Sequence, residues 1–211
     1  MLFENRQDAG KKLIELLKEY KEMPVVVYAL PRGGVVVAAE IARFLHAPLD
    51  LIFAHKIEHP YYPEYAVGAV SESGHMISPS PEILLSLGQD WLEQQKAYQI
   101  NEIKRKRKKY LKGQKEISVE NKIAILVDDG IATGLTLQAG IKELKSRHPK
   151  KIVVAVPVAP ASSAHLIKTM VDDYAGIEIE DDEFLGSVGA YYKEFDQLKD
   201  EEVIETLSSL K

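Results

Sequence analysis

The chain has 211 residues, 45% of them hydrophobic, which is enough to bury the core of one domain, and its formal net charge is −5. Charged residues make up an ordinary 28%, and the negative balance supplies no whole-molecule attraction to nucleic acid. The absence of cysteine excludes disulfides, thiolate metal sites and cysteine nucleophiles, and MLFENRQDAGKK lacks the apolar stretch of a signal peptide, so the expectation is a soluble, cytoplasmic protein with no membrane partner.

In chain order, FENRQDAGKKLIELLKEY (3–20) carries Leu13, Leu16, Leu17 and Tyr20 at the spacing of a one-sided helix. VVVYAL (25–30) is a β-branched run that stops at Pro31. VVVAAEIARFL (35–45) would suit a strand by its valines, but its length and the AAEIA continuation predict a helix. PLDLIFA (48–54) reads as the next strand, and WLEQQKAYQINEIKRKRKKYLKGQK (91–115) as a long helix with a basic end. KIAILV (122–127), LTLQAGIKELKSR (135–147), KIVVAVPV (151–158), SSAHLIKTMV (162–171) and DYAGIEI (173–179) then alternate strand, helix, strand, helix, strand. Short, fully apolar strands separated by helices predict an α/β fold: a mainly parallel sheet flanked by helices. Such sheets bind ligands beyond the carboxyl ends of their strands, where the loops after Leu30 and Val127 lie.

ILVDDGIATGLTL (125–137) places Asp128 and Asp129 side by side where a buried strand stops. Adjacent like charges repel and neither is buried cheaply, so a ligand is the natural explanation. Gly130, Thr133, Gly134 and Thr136 follow, opening a helix at about Leu135. Glycines permit close backbone approach, and the free amides of a helix N-terminus favour anions. Two carboxylates beside a phosphate cradle suit a sugar phosphate. ALPRGG places Arg32, Gly33 and Gly34 at a second strand end, with no GxGxxG or GxxxxGK[ST] motif anywhere. His55 and His59 are four apart, but Pro60 and the surrounding strand signals oppose the helix a metal pair would need. Lys104, Arg105, Lys106, Arg107, Lys108 and Lys109 read by default as a solvated face, and nucleic acid is not expected as a partner.

LVDDGIATGLT closely resembles the phosphoribosyl-diphosphate (PRPP) signature of the type I phosphoribosyltransferases: an apolar strand, two acidic residues, a short gap, Thr-Gly and a further Thr. FENRQDAGKKL, ALPRGGVVVAAEIA, PEYAVGAV, AVPVAP and FLGSVGAYYKEFDQLKDEEV extend the likeness to a branch of that family whose acceptor is unassigned. The resemblance implies one domain over 1–211, with 57–118 a variable, flexible insertion, a small variable hood, 184–211 a C-terminal tail, and a homodimer. It implies that Asp128 and Asp129 are catalytic and hold the ribose hydroxyls. Gly130, Ile131, Ala132, Thr133, Gly134, Leu135 and Thr136 would wrap the 5′-phosphate. Arg32, Gly33 and Gly34 would form the pyrophosphate loop, and Lys56 would contact the diphosphate. Mg²⁺ would be bound mainly through PRPP, with no metal site built by the protein. His55 stands where the branch commonly has arginine, Glu58 where glycine is expected, and Ala132 where some purine-transferring relatives carry an acidic base. Glu102 and Arg105 match a branch pattern and are expected over the active site. Tyr191, Tyr192 and Phe195 are expected in core or dimer packing, with an aromatic platform for a ring acceptor as the other possibility. The implied activity is Mg²⁺-dependent transfer of phosphoribosyl from PRPP to an unidentified nitrogenous acceptor, such as a nucleobase, with release of diphosphate. The alternative is a non-catalytic PRPP-binding regulator, nucleic-acid binding in one form.

Overall fold

The computed structural model describes residues 2–210. Strands β1 (Val25–Ala29) and β6 (Ile123–Val127) are buried along their whole length because each is covered on both faces. Alternate residues take opposite sides, as the two-residue period of a strand requires. Val25, Val27, Ala29, Ile123, Ile125 and Val127 pack on α1 (Arg6–Ile14) and α2 (Gly33–Leu45). Val26, Tyr28, Ala124 and Leu126 pack on α5 (Leu135–Lys145) and α6 (Ala161–Lys168). With β2 (Leu49–Leu51), β7 (Lys151–Pro160) and β8 (Asp173–Ile179), they make a five-stranded sheet in the order β2-β1-β6-β7-β8. Every pairing in it is parallel. This is the α/β architecture expected from the sequence, and its strand order turns back between β1 and β6.

The apolar run 48–54 is not one strand. It is buried throughout most of its length, but its hydrogen-bond partners change: β2 ends at Leu51, and β3 (Ala54–Glu58) begins a second, antiparallel sheet with β4 (Ala66–Ser71) and β5 (Met76–Ile77). Hydropathy reports burial and is silent about which strand supplies the partner. The helix expected over 3–20 is also shorter. It stops at Ile14, Leu16 is 52% exposed, and a single 3₁₀ turn (Lys18–Tyr20) seats Leu17 and Tyr20 in the core. Within 57–118, the small sheet is covered by α3 (Pro81–Leu87) and α4 (Gln89–Leu111), which ends in a left-handed Lys112 rather than at 115. The chain closes with a 3₁₀ turn (Val188–Tyr191) and α7 (Asp200–Ser208).

A buried polar cluster ties the small sheet to α5. The carboxylate of Glu143, only 2% exposed, accepts from Ser71 Oγ (2.6 Å), Ser73 N (3.1 Å) and Ser73 Oγ (2.8 Å). Arg147 pairs with it at 3.2 Å and with Glu72 at 2.8 Å, and Arg107 of α4 reaches the same Glu72 at 2.8 Å. Burial alone would raise the Glu143 carboxyl, but the Ser71 and Ser73 hydrogen bonds outweigh it and hold it below the ordinary value. Its stabilising contribution is therefore present at neutral pH and is lost as pH falls through that lowered value. Glu143→Ala leaves the buried Ser71 hydroxyl and the Ser73 donors without their acceptor, while Arg147 keeps Glu72 and Glu116, and is expected to cost about 1–3 kcal/mol in urea unfolding. The exposed Leu16→Ala should stay within about 0.5 kcal/mol in the same assay.

Candidate functional site

The parallel register of β1 and β6 pairs Ala29 with Val127, and Leu30 N donates to Val127 O at 2.9 Å. The loops that follow these strands are consequently side by side. At Gly33 a Cβ atom would lie 1.8 Å from Asp129 Oδ2, and at Gly34 it would lie 2.7 Å from Val127 O. Neither position accepts a side chain, which is the physical reason for the Gly-Gly pair after Arg32. The Pro31–Arg32 peptide bond is cis, and α2 starts directly behind it at Gly33.

The second loop builds a cradle. Gly134 sits at φ 72°, a left-handed conformation suited to glycine, and precedes α5 with no side chain capping the helix. The first amides of α5 are thus free to meet an anion. The loop is anchored from behind: Ile131 N donates to Val158 O (2.8 Å), Ser163 Oγ to Ala132 O (2.8 Å), and the Ile131 side chain is buried. A cleft of about 160 Å³ opens in front, lined by Lys56, Asp128, Gly130 through Gly134, Thr136 and Val188. Lys56 reaches it from β3, where the strand period turns it away from His55 and Ile57. A larger depression, about 370 Å³, lies between α1, α2 and α7. Its lining includes the carboxylates Glu40, Glu194, Asp196, Glu202 and Glu205 against Arg6 and Arg43, an excess of negative charge that disfavours a phosphate. The small cleft is the one that joins Lys56 to the glycine loop and the uncapped start of α5.

The two aspartates diverge. Asp128 faces the cleft and accepts a hydrogen bond from Asp129 N at 2.9 Å. Burial, and secondly the charge of Asp129, push its carboxyl well above the usual range, with Lys56 opposing. Asp129 turns the other way, toward α2, and its Oδ2 accepts from Arg6 Nε at 2.8 Å, with both side chains largely buried. Arg6 itself lies over the Phe195 ring, 3.8 Å from the centroid, and donates to Asp196 O at 2.9 Å. Tyr192 Oη donates to the carbonyl of Asp129 at 2.6 Å. Sequence reasoning missed Arg6, because its partner is 123 residues away. Leu135 opens α5 and is half-buried, so its backbone contributes rather than its side chain.

The C-terminal aromatics are packing. Tyr191 and Tyr192 are buried with Phe3, Phe184 and Val188 in a small satellite core, and Phe195 is sandwiched between Arg6 and Tyr192. No open aromatic platform results. Glu102 and Arg105 pair with each other at 2.8 Å on α4. The basic run is not uniformly solvated: Arg107 is bound to Glu72, Lys109 to Asp200 (2.7 Å), and half-buried Lys106 lies 3.3 Å from His55 Nε2. Arg32 approaches Asp200 at 3.8 Å. Among the described residues, no group of three or more His, Asp or Glu side chains is arranged to hold a metal ion, and no helix is long and apolar enough to cross a membrane.

The state of Asp128 has a stability consequence. A carboxyl whose folded value is raised stabilises the fold below its unfolded value of about 4, and that contribution is lost as pH rises through the folded value. Asp128→Asn is therefore expected to raise the stability of the ligand-free protein at pH 7 by about 0.5–2 kcal/mol. The gain should shrink toward about pH 4.5, nearer the unfolded value. Urea unfolding at the two pH values reads it directly, and a loss of stability at pH 7 would contradict the assigned burial.

Comparison with known proteins accords with this geometry. The family model of the phosphoribosyl transferase domain matches residues 2–193. Two Mycobacterium tuberculosis proteins, named "Putative phosphoribosyl transferase MT0597" in strain CDC 1551 and "Putative phosphoribosyl transferase Rv0571c" in strain H37Rv, are each 34% identical over 207 residues, covering 96% of this chain. The chain spans about half the length of these curated relatives, 46%. The crystal structure of TT1426 from Thermus thermophilus is 35% identical and superposes with a TM-score of 0.81, covering 100% of this chain and 99% of that one. With the matching domain spread over the two loops, the cradle and the strands that carry them, the chain belongs to the phosphoribosyl transferase domain family.

Proposed function

We propose that this protein transfers the phosphoribosyl group of PRPP to a nitrogenous acceptor, releasing diphosphate. The observation that carries the reading is the meeting of two glycine-bearing loops at the turn of strand order, with Asp128 between the cradle and Gly34. The 5′-phosphate fits the amides of Gly130–Thr136 and the hydroxyls of Thr133 and Thr136. The diphosphate fits the loop of Arg32, Gly33 and Gly34, with Lys56 within reach of the same cleft. Arg32 presents a permanently charged planar fork suited to phosphate oxygens.

In the reaction, the acceptor nitrogen's lone pair forms the new bond to the anomeric carbon, and the carbon–oxygen pair departs with the diphosphate. The nitrogen's proton passes to solvent or to the departing diphosphate, because Ala132 offers no base on the loop. Positive charge develops on the ribose, and negative potential from the Asp128 carboxylate at the cleft favours that state over the ground state. Arg6 holds Asp129 in place, and Tyr192 holds its backbone. The chain provides no cage for Mg²⁺ among the described residues, but the hard oxygens of Asp128 at the cleft fit an ion whose other ligands come from substrate. When bound, Mg²⁺ would neutralise charge on the diphosphate.

The basic run supports transfer over nucleic-acid recognition, since Arg105, Arg107 and Lys109 are each paired with carboxylates of the same chain. The test is calorimetry with PRPP and Mg²⁺, followed by a screen of nucleobases and related heterocycles for diphosphate release. Binding and release with a particular acceptor are expected. No heat with millimolar PRPP and no release with any acceptor would reject the reading. Asp128→Asn should lower single-turnover rate roughly tenfold to a hundredfold, the loss of one charge-assisted interaction, with a smaller effect on PRPP affinity.

A further inference from the structure

The family resemblance assigns both adjacent aspartates to the ribose hydroxyls, yet the folded chain sends them to different places. Asp128 lines the cleft and Asp129 does not. The Asp129 carboxylate lies against Gly33, where an added Cβ would be 1.8 Å from Oδ2, and the same oxygen accepts from Arg6 Nε at 2.8 Å.

That placement is built from several directions. Helix α1 packs closely on α2 at Gly10, whose Cβ would lie 2.8 Å from Val37 O. Arg6 stands about one turn before Gly10, and Gly33 about one turn before Val37, so the arginine arrives beside the start of α2. No side chain caps that start, and a carboxylate near a helix N-terminus is favoured by the helix dipole. Tyr192 Oη fixes the Asp129 carbonyl, while the Phe195 ring and the Asp196 carbonyl fix Arg6. The Arg6 and Asp129 side chains are only 11% and 17% exposed. Turning Asp129 into the cleft would strand a mostly buried guanidinium without its counter-charge, which is costly. Asp128 is held only by the amide of Asp129 and is free to meet a ligand.

We propose that Asp129 is a positioning residue and not a ribose ligand. With Arg6 it fixes the glycine loop at the start of α2, and Asp128 alone of the pair meets the ribose hydroxyls. The assignment rests on the PRPP reading above and divides between two residues a role that the resemblance gives to both. It also gives Arg6, which touches neither loop's ligand face, a function in the reaction.

Affinities of the full chain for anhydroribitol 5-phosphate, which carries the vicinal ribose hydroxyls, and for tetrahydrofurfuryl phosphate, which lacks them, test the division. Their ratio is the hydroxyl preference. Asp128→Asn is expected to reduce that preference roughly threefold to tenfold, the charge-assisted part of one hydrogen bond, and Asp129→Asn to leave it unchanged. Arg6→Met should keep the preference but weaken inorganic diphosphate with Mg²⁺ roughly threefold to tenfold. Arg6→Lys, which keeps a cation beside Asp129 and protects the fold, should show a smaller loss of the same kind. Equal loss of preference in the two asparagine variants, or parent-like diphosphate affinity in both Arg6 variants, overturns the positioning role. A parent that binds both esters equally leaves Asp128 without a ribose role and overturns the division. A parent that binds neither ester, nor PRPP, removes the functional reading as well.

Discussion

The parallel pairing of β1 with β6 is the constraint on which the site depends. Strand order turns back at this pair: β2 lies outside β1, and β7 and β8 lie beyond β6. Both strands therefore send their next loops into one crevice with no helix between them. The register sets the separation closely enough that Gly33 touches the Asp129 carboxylate. A shift of one residue would swap the two faces of β6, burying its inward residues against the wrong helices and moving both aspartates out of the crevice. Core packing and site geometry are thus held by the same hydrogen bonds.

The adjacent carboxylates are tolerable because the fold treats them differently. Asp129 is neutralised by Arg6, an arginine that is itself held by the Phe195 ring and a backbone carbonyl. Asp128 has only a backbone amide and the field of Lys56, so its carboxyl stays destabilised while the cleft is free of ligand. Under the proposed function, a residue that weakens the ligand-free fold but faces the glycine loop has its use when substrate is present. Arg6 is in place because the segment around Phe3 pairs with the chain at Tyr191 and Tyr192, which lays both over the acidic loop.

Charge on α4 follows the same logic of internal pairing. Arg107 stitches the helix to Glu72 and, through Arg147, to the Glu143 cluster that carries the small sheet. Lys109 and Tyr110 fix the start of α7 through Asp200, which also draws Arg32. The run looks like a solvated or nucleic-acid-binding stretch in one dimension. In three dimensions Arg107 and Lys109 tie α4 to the small sheet and to α7, Lys106 rests on His55, and Lys104, Arg105 and Lys108 stay on the exposed face.

The sequence by itself determined the alternation of strands and helices, the two glycine-bearing loops at strand ends, and the acidic-then-Thr-Gly pattern. Those features are local: strand and helix periodicity, the φ range of glycine and the chemistry of neighbouring side chains act over a few residues. The end of β2 at Leu51, the capture of Asp129 by Arg6 and the seat of Lys106 on His55 were decided by the tertiary structure alone. Each depends on which distant segment supplies a hydrogen bond, a packing surface or a counter-charge. Apolar or charged character in a run states that a partner is needed, and only the folded arrangement states which one it is.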